Sequence, residues 1–378
     1  MRLTKVFFLS NFRAVFSICA ALFIASGMMI GCYSFSFAPI EPGPSPVATS
    51  VAQYRAYGAS VTYGATLRDP ATQSYPSLVA RFENVSFANN AIGGDQACDV
   101  PTKQIFPHKD FPTLAQNPTY SLLIGTNDYH LKGAGPYEAI YMLCHQATIS
   151  WLGVPAEYKV LANGSGATTT GPGAIDTSNH WYSWTTGGLG ATVSFTITTS
   201  REGPIYAWPR IDDNNPATYT YSLDGIVVGS ASVRTNPRIA TNGGSTNSLG
   251  FIRFSPVPAG KHVVTFTQTS MGTDGVSVVG IGTPNGPVEG KLPAVLVGTI
   301  TYPLHNSSEQ AFDSPNGAYL RYIQDIEEDV GLLAGDGLSV RLFDTRKFMH
   351  GTKAEMNDHD HPNELGQLEL SHAVESVW

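Results

Sequence analysis

Four short stretches of the sequence carry residue types that suit nucleophilic catalysis. The first is Gly58-Ala59-Ser60, where a serine follows a strand-like run and a second glycine, Gly64, comes four residues later. Small neighbours at such a turn leave the hydroxyl exposed. A serine acts as a nucleophile only with a base, a group that orients the base, and donors for the oxyanion that attack creates. The rest of the chain offers candidates for all three.

The other three stretches lie further along the chain. Residues 89–95 read Asn-Asn-Ala-Ile-Gly-Gly-Asp, a strand end followed by small residues whose N–H groups can face an anion. Residues 125–128 read Gly-Thr-Asn-Asp and residues 358–363 read Asp-His-Asp-His-Pro-Asn, and both follow predicted strands. Open α/β sheets bind ligands outside the carboxyl ends of their strands. We therefore expect the four stretches to meet at one edge of a sheet.

The sequence around these stretches predicts strands that alternate with helices. The predicted strands are Tyr54–Ser60, Val85–Ala91, Tyr120–Gly125, Ala294–Thr299 and Leu338–Asp344. The predicted helices are Ser77–Phe82, Pro136–Trp151, Gly317–Leu333 and Asn363–Val377. Strands separated by helices pair in parallel. The expected fold class is therefore α/β, with a doubly wound five-stranded parallel sheet.

Between residues 155 and 290 the pattern changes to short alternating runs separated by Gly, Asn, Asp and Pro turns. The clearest runs are Ala191–Thr198, Pro204–Ile211, Thr218–Leu223, Gly250–Phe254 and His262–Thr267. This pattern predicts an inserted antiparallel β-sandwich, which divides the α/β domain into residues 53–154 and 291–378. Trp181, Trp184 and Trp208 in the insert are candidate contacts for sugar rings, and burial in the sandwich core is the alternative.

The N-terminus predicts export. Basic residues precede an apolar run, and residues 29–32 read Met-Ile-Gly-Cys, which resembles a bacterial lipobox. We expect residues 1–31 to be a signal peptide, Cys32 to be lipidated, and the Pro-rich residues 32–52 to form a tether to a membrane. Ordinary cleavage with secretion and an uncleaved anchor are the alternatives. The expected location is the cell envelope or the exterior.

Charge and cysteines narrow the expected partners. Without residues 1–31 the chain has 19 basic and 30 acidic residues, a net charge of −11. Nucleic acid is then excluded as an expected partner, because phosphate binding needs a basic footprint.

Cys98 and Cys144 could form a disulfide worth about 4 kcal/mol in an oxidising compartment, or remain as two buried thiols.

The run Asp358-His359-Asp360-His361 has two interpretations. Alternating Asp and His side chains could bind a metal ion. Four consecutive residues cannot easily share one ion, however, and no other His or Cys cluster in the sequence completes the ligand set. We therefore expect no metal and no organic cofactor, and we interpret His359 and Asp360 as solvated bystanders of a base and its orienting carboxylate.

With its four stretches in this order, the chain resembles the SGNH, or GDSL-type, serine hydrolase family. The resemblance covers nearly everything outside the insert and the N-terminal tether. It implies a three-layer αβα sandwich with flavodoxin-like strand order. It also implies Ser60 as nucleophile, His361 as base and Asp358 as the residue that orients the base. The oxyanion hole would be the N–H groups of Ser60 and Gly94 with the side-chain amide of Asn127.

One position departs from the family pattern, because Ala59 stands where the family usually has an aspartate. Any hydrogen bonds that this carboxylate makes are then missing, and we expect a looser turn.

The insert loosely resembles jelly-roll carbohydrate-binding modules, without a specific motif.

The resemblance and the export signal together predict an exported serine esterase that acts on short acyl groups carried by carbohydrate. Three alternatives stay open. The enzyme could be lipase-like or an arylesterase, or it could transfer the acyl group to a glycan. The chain could also be a glycan-binding surface lipoprotein with a vestigial hydrolase half.

Overall fold

The computed structural model describes residues 53–133, 135–176, 183–236, 238–239, 241–242, 246–303 and 317–378. The predicted signal peptide, the lipidation at Cys32, the tether and Trp181 all lie outside these residues. In the described part of the chain, no helix is both long and apolar enough to cross a membrane.

The chain alternates helices and strands before and after a long run of strands. The first part contains β1 (Tyr54–Gly58), α1 (Ser60–Tyr63), α2 (Pro70–Gln73), α3 (Tyr75–Phe82), β2 (Phe87–Asn89), β3 (Thr119–Leu123), α4 (Thr126–Lys132) and α5 (Pro136–Gly153). The middle part contains β4 (Lys159–Leu161), β5 (Ala167–Thr170), β6 (Gly173–Asp176), β7 (Ser183–Thr186), β8 (Thr192–Thr199), β9 (Gly203–Asp212), β10 (Thr218–Leu223), β11 (Ile226–Ser232), β12 (Asn247–Leu249), β13 (Ile252–Val257), β14 (Gly260–Gln268) and β15 (Ser277–Gly282). The last part contains β16 (Ala294–Gly298), α6 (Ala318–Gly335), β17 (Val340–Phe343) and α7 (Glu364–Glu375).

A five-stranded parallel sheet joins the first and last parts in the order β17-β16-β3-β1-β2. The predicted five-stranded parallel sheet is thus confirmed. Successive side chains of a strand point to opposite faces. Val295 and Val297 of β16 accordingly pack in the core that includes α5 and α6, whereas Leu296 packs in the core that includes α3 and α7. Helices therefore cover both faces of the sheet.

The helices bury the faces that their sequences predict. In α6 the buried residues recur at helical spacing, as at Tyr319, Tyr322, Ile323 and Ile326. The last helix, α7, begins with an N-cap at Asn363, whose side-chain oxygen accepts hydrogen bonds from the N–H groups of the second and third helical residues at 2.9 and 3.2 Å. Such a cap is worth about 1 kcal/mol. It also fixes the end of the loop that precedes α7.

The middle part is antiparallel, as predicted. One sheet has the order β11-β10-β14-β8-β5. The other has the order β12-β9-β15-β7-β6, with β13 also paired to β9 and β4 to β15. The two sheets share one hydrophobic core, in which Phe195 and Phe266 come from the first sheet and Ile205 and Val278 from the second.

The two parts of the fold meet at Trp208, which is fully buried. Its ring packs edge-on against Trp151 of α5, with ring centroids 5.0 Å apart, and its N–H donates to Ser150 Oγ at 3.0 Å. The buried Lys159 lies 4.6 Å from the Trp151 ring centroid and donates to the Val154 carbonyl. Burial lowers the pKa of Lys159 well below its usual value. The insert is therefore packed against the α/β part rather than held by its linkers alone.

This packing corrects the predicted sugar contacts. The prediction is wrong for Trp208, since no face of its ring reaches solvent. It is also wrong for Trp184, which is 9% exposed and packs in the core of the antiparallel sheets. Cores of β-sandwiches bury tryptophan routinely, and that alternative holds for Trp184, whereas Trp208 is buried against Trp151 of α5.

Candidate active site

The candidate nucleophile, Ser60, is the first residue of α1 and lies at the junction between β1 and α1. The turn needs glycine at Gly58 for two reasons. The residue has φ +155°, and a Cβ at this position would clash with the Leu123 carbonyl of the neighbouring strand. The Ser60 carbonyl accepts hydrogen bonds from the N–H groups of Gly64 and Ala65, at 3.0 and 2.9 Å. The half-buried Ser60 thus stands at the carboxyl end of β1, where the sequence predicts it.

A buried amide, Gln104, holds this turn. The Gly58 N–H donates to Gln104 Oε1 at 3.1 Å, and Gln104 Nε2 donates back to the Gly58 carbonyl at 2.8 Å. The same nitrogen donates to Asp95 Oδ2 at 2.9 Å. This turn has Ala59 in place of an aspartate, and the side-chain amide of Gln104 stabilises it instead. No sequence signal points to Gln104, because it lies 46 residues after Gly58 in a segment without a motif.

The small-residue loop passes beside the serine. The Ile92 N–H donates to the Gly58 carbonyl at 3.2 Å, and a Cβ on Gly93 would lie 4.0 Å from Ser60 Cβ. Gly94 has φ +83°, a conformation that favours glycine. Asn127 Nδ2 donates to the Asp95 carbonyl at 2.8 Å. An amide nitrogen carries two hydrogens, so Asn127 keeps a second donor for an oxyanion.

The insert reaches this loop through Asn242, which sequence reasoning missed. Asn242 Nδ2 lies 3.3 Å from the Gly93 carbonyl, and the Asn242 N–H donates to Asp99 Oδ2 at 2.7 Å. Lys103 Nζ adds an ion pair to Asp99 at 2.9 Å. The loop that carries the predicted oxyanion donors is therefore packed between the α/β part and the insert.

A disulfide anchors the same loop from the other side. Cys98 and Cys144 are bonded, with Cα atoms 5.0 Å apart and a sequence separation of 46. The bond joins the segment that follows the small-residue loop to the buried face of α5. A loop of this length corresponds to about 4 kcal/mol in the chain-entropy model.

The carboxylate next to Asn127 has an unusual environment. Asp128 is almost fully buried and accepts the Ala97 N–H at 3.1 and 3.2 Å. Burial raises the pKa of Asp128 to about 8, an effect that the Ala97 hydrogen bond partly offsets and the nearby Asp99 charge increases.

This raised pKa predicts a pH-dependent stability. The unfolded carboxyl has a pKa of about 3.9, so folding takes up a proton between about pH 4 and pH 8. The free energy of unfolding should then fall as the pH rises through this window, by up to about 5 kcal/mol from this group. Asp128→Asn should remove the decline, as measured by urea unfolding at pH 5 and pH 8. The exposed Asp274→Asn is the control, and an unchanged pH slope in both variants would contradict the prediction.

The candidate base and its carboxylate form a complete pair. His361 Nδ1 lies 2.8 and 2.9 Å from the two oxygens of Asp358. The N–H groups of Asp360 and His361 also donate to Asp358 Oδ1, at 3.0 and 2.8 Å. Partial burial raises the pKa of Asp358, but these hydrogen bonds outweigh it and leave the pKa below its usual value. With Nδ1 engaged by a carboxylate, His361 keeps Nε2 for a substrate or a serine.

The loop of the base is tied to the region of the serine. Asn357 Nδ2 donates to Thr66 Oγ1 at 2.9 Å, and Gln367 Nε2 of α7 donates to the Val61 carbonyl at 3.0 Å. Among the described residues, no hydrogen bond joins Ser60 Oγ to His361. Catalytic hydrogen bonds without substrate are often long and tighten in the complex.

A further histidine, His130, completes a cluster that the sequence did not predict. It lies on α4, three residues after Asn127, and its Nδ1 is 3.6 Å from Asp360 Oδ1. Its ring stacks on His359, with centroids 5.9 Å apart. No other His or Cys cluster was expected to complete the ligand set, but the fold places the single residue His130 beside His359 and Asp360. The sequence could not predict this contact, because His130 and Asp360 are 230 positions apart in the chain.

Comparisons with known proteins identify no family. No family model and no curated protein matches the chain. A solved two-domain esterase active on acetylated mannans has 12% identity and a TM-score of 0.34, over 60% of this chain and 89% of its own. A family 35 carbohydrate-binding module of Abf62 from Cellvibrio japonicus has 17% identity and a TM-score of 0.26, over 37% and 99%. A family two carbohydrate esterase from Cellvibrio japonicus has 16% identity and a TM-score of 0.24, over 50% and 52%. At TM-scores this low the similarities carry no functional conclusion.

Proposed function

We propose that the chain is an exported serine esterase of the SGNH type. The observation that carries the proposal is the Asp358–His361 pair, in which both carboxylate oxygens engage Nδ1 and leave Nε2 available. Ser60, Gly94 and Asn127 lie on segments that contact one another through Gly58, Gly93 and Asp95. These contacts support the roles that the family resemblance implies.

In the proposed reaction, Ser60 Oγ attacks an ester carbonyl while His361 Nε2 accepts its proton. The carbonyl oxygen becomes an oxyanion held by the N–H groups of Ser60 and Gly94 and by the second amide hydrogen of Asn127. His361 then protonates the leaving alcohol. Water, activated by the same nitrogen, releases the acid and restores the serine.

The open position of the base supports a short acyl group as the substrate. The side chains of His361 and Asp358 are 25% and 48% exposed, so the base lies at an accessible surface. A bulky alcohol such as a glycan can approach such a surface, whereas a long acyl chain needs an apolar channel to cover it. We therefore propose short acyl esters of carbohydrate as the substrate class.

The test is an ester panel on the full chain. Acetate release from an acetylated glycan is measured beside hydrolysis of the nitrophenyl esters of acetate and laurate. We expect acetyl esters to be cleaved much faster than laurate. Faster cleavage of laurate would favour the lipase-like alternative. If the folded chain cleaves no ester, the proposed esterase function is wrong. Glycan binding by the insert would then be the function that the sequence and structure support best.

A variant of Asn127 tests the oxyanion hole separately. Asn127→Ala should lower kcat by about 10²–10³, because it removes a donor that strengthens its bond in the transition state, and should change KM little. Steady-state kinetics on nitrophenyl acetate measure the split. Asn214→Ala, at an exposed turn of the insert, is the control. A rise in KM at constant kcat would assign Asn127 to ground-state binding instead.

A further inference from the structure

Three side chains converge beside the candidate base from two separate segments. His130 lies on α4, and His359 and Asp360 lie in the loop before α7. Their ligand atoms all lie within 4.8 Å of one another. Asp360 Oδ1 is 3.6 Å from His130 Nδ1 and 3.8 Å from His359 Nε2. One carboxylate oxygen therefore faces both imidazoles.

The environment of that oxygen is a second observation. Asp360 Oδ1 is shielded from solvent and has no hydrogen-bond partner among the residues that the structure describes. Leaving a shielded carboxylate oxygen without a hydrogen-bond partner costs free energy. A cation bound between this oxygen and the two ring nitrogens would compensate the cost.

The donor set indicates which cation fits. Two imidazoles and one carboxylate suit Zn²⁺ and neighbouring transition metals, whereas Mg²⁺ and Ca²⁺ prefer oxygen ligands alone. In a tetrahedral zinc site with bonds of about 2.0–2.1 Å, ligand atoms are about 3.4 Å apart. The distances of 3.6 and 3.8 Å from Asp360 Oδ1 require only small side-chain movements to reach that spacing.

We propose that His130, His359 and Asp360 bind a zinc-type divalent cation. Three protein ligands leave a fourth position for water or for an oxygen atom of a substrate. The ion joins α4, which carries Asn127, to the loop that carries Asp358 and His361. Zinc binding at these residues does not depend on the ester hydrolysis proposed above.

The test uses the full chain without a polyhistidine tag, treated with a chelator and titrated with ZnCl₂ by calorimetry. We expect one ion per chain. Thermal unfolding should show a rise in Tm of about 5 °C at a Zn²⁺ concentration 100-fold above the dissociation constant. Mg²⁺ at the same concentration should give no rise.

Matched variants decide the assignment. His130→Ala and Asp360→Asn should each weaken Zn²⁺ binding by about tenfold or more, whereas the exposed His108→Ala should bind like the parent. Asp360→Asn keeps the size of the side chain, so it answers the question even if His130→Ala fails to fold. Absence of binding at millimolar Zn²⁺, or equal binding by the parent and Asp360→Asn, would overturn the proposal. If the metal-free protein cleaves esters, the proposed esterase function holds whether or not the chain binds zinc.

Discussion

Replacing Ser60 by alanine is expected to lower kcat for an acetyl ester by a factor of about 10⁶, because the nucleophile and its base act as one unit. His361→Ala should cost about as much, and the double variant should lose little more. A fluorophosphonate probe gives a second readout, since it forms a covalent bond only with an activated serine. Intact-mass analysis should show one adduct on the parent and none on either variant.

The matched control for this experiment is Ser339→Ala, which removes another half-buried serine close to the start of β17. It should keep both the adduct and the activity. An adduct that persists in Ser60→Ala would place the nucleophile elsewhere. Activity of Ser60→Ala within tenfold of the parent would refute the proposed mechanism outright.

The second large effect is expected for Asp358→Asn, which should lower kcat by about 10⁴. The carboxylate accepts the Nδ1 proton of His361, and an amide in its place allows the wrong tautomer, with the proton on the nitrogen that must accept from Ser60. Binding of the substrate should change little, so KM should stay close to that of the parent. Steady-state kinetics on nitrophenyl acetate measure both constants.

The chain offers a control with the same spacing. Glu369 and His372 of α7 form a second acid–histidine pair three residues apart, at 3.7 Å. Glu369→Gln should keep kcat within about twofold, because this pair belongs to no segment of the candidate site. A loss in Asp358→Asn no greater than in Glu369→Gln would mean that Asp358 does not orient the base.

Much of the fold, and the strand ends at which the candidate site residues lie, could be predicted from the sequence, because local signals specify them. The predicted strand Thr218–Leu223 has the same bounds in the structure, and Ala294–Thr299 differs from β16 by one residue. The buried parallel strands are short apolar runs, and their ends carry the polar residues of the site. These features depend on neighbours in the chain.

The missed features depend on contacts between distant positions. Gln104 and Asn242 support the site through hydrogen bonds that no local pattern encodes, and His130 meets His359 only in the folded chain. Trp208 has an unremarkable strand context, and its burial follows from the packing of two folded parts against each other. Residue types alone cannot distinguish such a buried ring from a ring that faces solvent.

The pairing of β3 with β16 also constrains how the chain can fold during synthesis. Thr119 pairs with Ala294, so β3 has an unpaired edge until the ribosome has made the whole insert. Contacts between such distant positions form slowly, because a long loop must close first. All strands of the insert precede β16 in the chain, so the insert can fold before the parallel sheet closes. During that interval the exposed edge of β3 is a site for chaperone binding or for aggregation.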